Sequence, residues 1–141
     1  MIEEAAILAT MEEYAEAYCA KDIARQMAIF DDGDDISMIG TGAEELCAGR
    51  AEVESIFVRN FAEATATRFK WQWHHVTIRE NCAVIAASLT IHLDIDGRPI
   101  EVPVRWTVSL VKRSDGWKWL HRHASSAARS QGEGTAYPVE S

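Results

Sequence analysis

The sequence predicts an α+β fold, in which N-terminal helices pack on a strongly curved antiparallel sheet. Two observations predict it. Up to about residue 67 apolar residues recur at helical spacings, and beyond it four segments rich in Val, Ile, Trp and Thr are separated by turn dipeptides. Helices followed by a run of antiparallel strands place the helices on one face of a sheet.

Two helices are predicted at the N-terminus. Ile7, Met11, Tyr14 and Tyr18 are spaced by four, three and four residues, so they share one face of a first helix. Asp22 precedes a second, short helix, because its side chain can accept hydrogen bonds from the amides of the first turn.

A short strand, a loop and a third helix follow. Residues 36–39 are predicted as the strand and residues 40–42, Gly-Thr-Gly, as the loop. Gly49 then precedes a helix whose apolar side consists of Val53, Ile56, Phe57, Phe61 and Ala64.

Four segments dominated by β-branched and aromatic residues are predicted as antiparallel strands. They cover residues 69–79, 82–95, 99–112 and 117–125, and the turns between them are Glu80-Asn81, Asp96-Gly97 and Asp115-Gly116. Asp-Gly favours a two-residue hairpin loop, because both central positions of that turn need a positive φ. Two-residue loops also fix which residues face each other across the sheet.

This register places His74, Ala87, Trp106 and Ser125 in one row beside His123. We predict that the row is the floor of a pocket between the sheet and the helices. The other face of the sheet would carry Trp71, Trp73, Thr90, Arg105 and Thr107, and we predict a homodimer through it because a monomer rarely leaves such a patch uncovered. A β-bulge would reverse these facings beyond the point where it occurs.

The last strand, residues 116–125, is the most informative segment for function. Two-residue alternation places Trp117, Trp119, His121, His123 and Ser125 on one face, and Lys118, Leu120, Arg122 and Ala124 on the other. A face that changes from aromatic to titratable is expected where a core opens into a polar pocket, since neutral His both donates and accepts hydrogen bonds. The alternative is that these histidines lie in the core with satisfied hydrogen bonds, or face solvent.

Composition narrows the possible functions. The chain has 141 residues with 48% apolar composition, enough for one stable domain, predicted at 1–126 and followed by a polar tail at 127–141. The net charge of −8 argues against nucleic-acid and anionic-membrane surfaces, which need basic patches. Three separated cysteines and an acidic N-terminus without a long apolar run predict a reduced, soluble, cytoplasmic protein.

The chain resembles the SnoaL-like branch of the nuclear transport factor 2-like superfamily. The residues that carry the resemblance are Lys21-Asp22, Gly49, Arg105-Trp106-Thr107-Val108, Gly116-Trp117 and His121-Arg122-His123-Ala124-Ser125. The last of these is also similar to the end of the association domain of calcium/calmodulin-dependent kinases. The resemblance implies a cone-shaped α+β barrel that encloses a cavity and usually dimerises through the sheet. The functions it implies range over isomerases, epoxide hydrolases, dehydratases, polyketide cyclases and binding or assembly domains.

Two departures from these relatives bear on activity. Isomerases of the superfamily carry a catalytic Asp on the first short strand, where this chain has Ile36-Ser37-Met38-Ile39. Kinase association domains carry an Arg on the penultimate strand, nearer the last turn, where this chain has Val108-Ser109-Leu110, and Arg105 lies further back on the predicted outer face.

The remaining candidates for chemistry are histidines and tyrosines. His123, with His121, is the predicted general acid or base, and Tyr14 or Tyr18 could donate a hydrogen bond to a developing oxyanion. His74, Trp106, Ser125 and Tyr18 are the predicted ligand-binding residues. No metal or other cofactor is expected, because no carboxylate or cysteine is predicted on the histidine face.

Three functions stay open at this point. The favoured one is a domain that binds a small apolar or weakly polar organic molecule in a hydrophobic pocket with a His-rich polar end. The second is a His-dependent isomerase, dehydratase or cyclase, and the third is an oligomerisation module. Fold alone does not choose among them.

Overall fold

The structure is a computed structural model that describes residues 2–138. The last three residues of the predicted tail, 139–141, lie outside the described residues. Nine helices and strands are present among the described residues, in the order α1 Ile2–Ala20, α2 Ile23–Ala28, β1 Ser37–Ile39, β2 Leu46–Ala48, α3 Arg50–Glu63, β3 Thr65–Arg79, β4 Cys82–Ile95, β5 Arg98–Arg113 and β6 Gly116–Ser125.

The strands form one six-stranded sheet with the order β2-β1-β6-β5-β4-β3, covered on its inner face by the helices. Every neighbouring pair is antiparallel except β1 and β6. The predicted α+β class is therefore confirmed. β2, a three-residue strand with no apolar periodicity, is the element that the sequence did not predict.

The helix starts follow from local chemistry. The Asp22 carboxylate accepts a hydrogen bond from the Arg25 amide at 3.1 Å, which caps α2 as predicted. Gly49, directly before α3, has a φ of +97°, a conformation that only glycine adopts without strain. Among the helices of residues 2–138, none is long and apolar enough to cross a membrane.

Two of the three predicted hairpin registers are confirmed. Val76 pairs with Ile85 and His74 with Ala87, while Ala87 pairs with Trp106. The turn between β4 and β5 contains Asp96 and Gly97 with φ values of 52° and 80°, as an Asp-Gly hairpin requires.

The third hairpin differs from the prediction in its turn and in its register. Arg113 pairs with Gly116, so the two-residue loop is Ser114-Asp115 instead of Asp115-Gly116. This change shifts the pairing of β5 with β6 by two residues, and a shift of two leaves every side chain on its predicted face. Leu110 then pairs with Trp119 but Ser109 pairs with His121, so Leu120 is an extra residue in β6. Beyond this bulge every side chain of β6 points to the other face.

The predicted facing of His121, His123 and Ser125 is therefore wrong. These three residues pair with Ser109, Thr107 and Arg105 on the outer face of the sheet, and His123 is exposed. Arg122 and Ala124, which were expected outside, are buried on the inner face.

The physical reason lies in the parallel pairing of β6 with β1. Met38, which is 1% exposed, is in register with Arg122, and Ser37 and Ile39 are in register with His121 and His123. This pairing joins segments more than 80 residues apart, so it is invisible to a register counted outward from a turn.

A second irregularity corrects the predicted dimer face. The ladder of β3 is interrupted between Trp71 and Trp73, and Trp71 turns inward to pack against Phe69 and Trp106, with ring centroids 5.8 Å from each. Trp71 is thus wrongly predicted to lie outside. Trp73 does lie outside and is 58% exposed.

The inner face of the sheet and the helices enclose an aromatic core. Tyr14 lies at its centre, stacked on Trp119 at 5.0 Å and edge-on to Trp106 at 4.9 Å between ring centroids. Phe57 of α3 and Phe69 of β3 contact Tyr14 edge-on. Among these rings, Trp106 also lines the cavity described below.

Candidate functional site

A cavity of about 110 Å³ lies between the helices and the inner face of the sheet. It is lined by residues from α1, α3, β4, β5, β6 and the loop between β1 and β2: Tyr18, Gly40, Thr41, Glu45, Ile56, Asn60, Ile91, Val102, Val104, Trp106, Arg122 and Ala124. Its walls on the side of β4 and β5 are aliphatic apart from Trp106, and its polar groups come from the helices, the loop, β6 and the Trp106 indole.

Arg122 provides the buried charge of this cavity. The residue is 8% exposed, and its Nη1 donates to the Tyr14 hydroxyl at 3.0 Å while Nη2 reaches the Ile39 carbonyl at 3.4 Å. The guanidinium carbon lies 5.6 Å from the centre of the Trp106 ring, in cation–π geometry. Among residues 2–138, no carboxylate forms an ion pair with Arg122.

Two N–H donors of cavity-lining residues have no partner. Both Arg122 Nε and Trp106 Nε1 are buried without a hydrogen bond to any group in the described part of the chain. A buried donor left without an acceptor costs about 1–3 kcal/mol, so such groups in a native fold call for an explanation.

The two tyrosines near Arg122 are neutral phenols. Burial raises the pKa of Tyr14, and the positive charge of Arg122 opposes this in part. Burial also raises the pKa of Tyr18, while a hydrogen bond with the Asn60 side chain opposes it. Neither phenol can therefore supply a negative charge to Arg122 near neutral pH.

Glu45 is the acidic residue of the cavity lining, and its charge is already compensated. Its carboxylate accepts a hydrogen bond from the Gly42 amide at 2.7 Å and forms an ion pair with Arg59. A Cβ atom on Gly40 would lie 2.6 Å from Glu45 Oε1, so glycine at this position makes room for the Glu45 side chain.

Of the predicted site residues, the structure brings Tyr14, Tyr18 and Trp106 together around Arg122. His74 lies on the inner face opposite Ala87, as expected from its register, but its side chain is exposed and does not line the cavity. Roles for these residues in binding or catalysis stay predictions.

His121, His123 and Ser125 form a separate group on the outer face. Ser37 Oγ lies 2.8 Å from His121 Nδ1, and the two imidazole rings are 6.4 Å apart. Burial lowers the pKa of His121, which favours its neutral form. Within residues 2–138, no three His, Cys, Asp or Glu side chains converge as a metal site requires.

Sequence reasoning missed Arg122 as a cavity residue. The alternating pattern of 116–125 placed it with Lys118 on an outer face, where arginine is ordinary. The sequence gives no signal for an extra residue at Leu120, and the inward position of Arg122 depends on that bulge.

A comparison with models of known protein families identifies the family of this fold. The sequence profile of the SnoaL-like domain matches residues 7–129, which is most of the chain. The chain belongs to the SnoaL-like domain family. No curated protein sequence matches this SnoaL-like chain significantly.

Three solved structures illustrate the similarity. A candidate dehydratase of the nuclear transport factor 2-like family from Streptomyces avermitilis has a TM-score of 0.80 at 19% identity, covering 89% of this chain and 97% of that one. A candidate aromatic ring hydroxylase from Novosphingobium aromaticivorans has a TM-score of 0.78 at 22% identity, with coverages of 89% and 90%. A candidate calcium/calmodulin-dependent protein kinase II association domain from Xanthomonas campestris has a TM-score of 0.75 at 19% identity, with coverages of 87% and 86%. Identities this low establish the shared fold alone.

Proposed function

We propose that this SnoaL-like domain binds a small organic molecule in the cavity between its helices and its sheet. The observation that carries the proposal is that aliphatic walls and buried N–H groups without a partner among the described residues occur in the lining of one cavity. Ligand sites commonly combine apolar walls with a few polar groups that orient the ligand. Membership of a family whose structural relatives include candidate enzymes of small molecules supports it further.

The His-dependent isomerase, dehydratase or cyclase is the weaker alternative. Its proposed base, His123, is exposed on the outer face, and its partner His121 bonds Ser37 there. A general base must come within hydrogen-bond reach of the proton that it removes. A ligand in the cavity would meet Tyr18, Glu45 and Arg122 instead.

A cavity-filling variant tests the proposal. Ala124 is buried and lines the cavity, so Ala124→Leu should fill most of the space with three added carbon atoms. We expect a screen of fragments with up to about six heavy atoms, followed by ¹H–¹⁵N NMR, to find binders that the variant loses. The exposed helix residue Ala62 provides the matched control, since Ala62→Leu should bind as the unchanged protein does. Equal binding by both variants would place the ligand elsewhere.

We also propose self-association through the outer face of the sheet. Trp73 and Val84 are 58% and 42% exposed on this face, near Arg105 and Thr107 of β5. Exposed apolar groups surrounded by polar residues are typical of protein interfaces. The similarity to an association domain is consistent with this.

Light scattering during size-exclusion chromatography tests the self-association. At micromolar concentration we expect a mass of at least twice 15.7 kDa, and Thr107→Glu should shift it to the monomer by placing a charge within the contact. Ser55→Glu on the exposed side of α3 is the control. A monomer mass for the unchanged protein would end this proposal.

A cytoplasmic location is likewise our proposal, and it is supported by three cysteines that form no disulfide. Fractionation of the native cells with an antibody against the protein would test it.

A further inference from the structure

We infer that the ligand of the cavity is a small organic monoanion, a short-chain carboxylate, anchored by Arg122. The inference rests on the proposed function, because it names the ligand class of the same cavity. It follows from the charge of Arg122, the free donors beside it and the size of the space.

Among the described residues, 2–138, no carboxylate pairs with the charge of Arg122. The other arginines that pair with carboxylates do so near the surface: Arg25, Arg59 and Arg113 have side chains that are 42%, 46% and 53% exposed. Arg122 is 8% exposed, and its guanidinium contacts a phenol, a carbonyl and an aromatic ring in the described part of the chain. Buried charges are normally paired, because removing an ion from water carries a large free-energy penalty.

The nearby groups that could carry a negative charge do not supply the missing partner. Glu45 lines the same cavity, but its carboxylate is paired with Arg59 and bonded to the Gly42 amide. Tyr14 and Tyr18 remain protonated, because burial raises the pKa of both. The cavity therefore keeps an uncompensated positive charge that an anionic ligand would neutralise.

The free donors favour a carboxylate. Arg122 Nε and Trp106 Nε1 are the buried N–H groups of the cavity lining without a partner among the described residues. A carboxylate has two oxygen atoms that accept in one plane, and arginine pairs with such planar anions more strongly than with neutral acceptors.

The volume limits the rest of the ligand. A cavity of about 150 Å³ holds benzene, so about 110 Å³ suits a ligand of roughly four to six heavy atoms. The aliphatic residues of the lining are Ile56, Ile91, Val102 and Val104. A short aliphatic chain would pack against them, whereas inorganic phosphate would place polar oxygen atoms against aliphatic carbon.

The experiment compares two ligands of equal shape and different charge. Propionate and propionamide, at equal ionic strength and neutral pH, are titrated into the ¹⁵N-labelled full-length protein and followed by NMR, including the indole signal of Trp106. We expect propionate to bind at least about tenfold more tightly than propionamide, since a hydrogen bond to a charged group outweighs a neutral one by that order.

Three variants assign the effect. Arg122→Met should weaken propionate binding about 10- to 100-fold and remove the preference over propionamide. Arg122→Lys keeps the charge without the planar fork, so it should bind more weakly than the unchanged protein but still prefer the anion. Arg68→Met, which removes an exposed charge on β3, should change nothing.

The outcomes distinguish failure of the carboxylate assignment from failure of the proposed ligand cavity. Equal binding of propionate and propionamide, or equal shifts with sodium chloride or phosphate, would overturn the carboxylate while leaving a ligand cavity in place. A preference that persists in Arg122→Met would overturn the role of Arg122. If neither compound nor any screened fragment shifts the signals of cavity residues, the proposed function itself fails.

Discussion

Replacing the buried cation and its partner together should stabilise the fold. In the double variant Arg122→Met with Tyr14→Phe, the Arg122–Tyr14 hydrogen bond of 3.0 Å is lost, at about 1.5–3 kcal/mol for a charged donor. The cation–π contact at 5.6 Å contributes about 1–2 kcal/mol, and the contact with the Ile39 carbonyl at 3.4 Å less than about 1 kcal/mol.

The gain exceeds these losses. Arg122 no longer leaves water as an unpaired ion, which removes a penalty of several kcal/mol, and a buried Met side chain adds about 2 kcal/mol of apolar transfer energy. We expect the double variant to be about 1–3 kcal/mol more stable than the unchanged protein, a range typical of apolar replacements for buried ions. Arg122→Met alone should be close to neutral, since it leaves the Tyr14 hydroxyl without its donor.

Urea denaturation at pH 7, followed by far-UV circular dichroism, measures the free energies of unfolding. The control Arg68→Met removes an exposed charge and should change the stability by less than about 0.5 kcal/mol. A double variant that is more than about 1 kcal/mol less stable would refute the reasoning, because it would mean that the protein compensates the charge of Arg122. A stability gain together with lost anion binding would identify Arg122 as a residue kept for function at a cost in stability.

Three further predictions concern groups outside the cavity. Arg113 donates to both Asp31 oxygens, at 2.7 and 3.1 Å, and holds the pKa of that carboxyl below its usual value. This stabilisation is present above about pH 4 and is lost as the pH falls through the folded pKa. Arg113→Met should therefore lower the free energy of unfolding at pH 7 and lower it less at pH 2. Equal losses at both pH values would contradict this. The Gln26 side-chain amide is fully buried, and neither its nitrogen nor its oxygen has a hydrogen-bond partner within residues 2–138. Gln26→Met should therefore raise the free energy of unfolding, measured by urea denaturation, by about 1–2 kcal/mol. A decrease would indicate that the amide is hydrogen-bonded. Burial lowers the pKa of His121, so its imidazole should titrate in NMR below about 6.5, and a midpoint above this value would argue against its burial.

The order of the elements and two hairpin registers could be predicted because local chemistry specifies them. Asp22 and Gly49 mark helix starts through a side-chain cap and a positive φ. Asp96 and Gly97 occupy the two positions of a turn that needs positive φ, which fixed the pairing of β4 with β5. Such signals lie within a few residues of the feature that they determine.

The position of the candidate site could not be predicted in this way. Counting alternate residues outward from the last turn gave the correct face of the sheet for each residue up to Trp119. The extra residue at Leu120 then exchanged the faces of His123 and Arg122. The same failure misplaced Trp71 in β3. A bulge changes the pairing without changing the composition of the strand, so the local sequence pattern does not predict its position.

The sequence by itself determined the α+β class, because periodicity, caps and turns are local properties, and its match to the SnoaL-like profile over residues 7–129 determined the family. Only the tertiary structure decided which side of β6 faces the cavity, since the parallel pairing of β1 with β6 sets Met38 beside Arg122 on the buried face. That contact spans more than 80 residues of chain. The imidazoles of His121 and His123 therefore face outward and the Arg122 guanidinium lies inside, without an ion-pair partner among residues 2–138. Side chains on a strand alternate, so a single inserted residue exchanges the two faces.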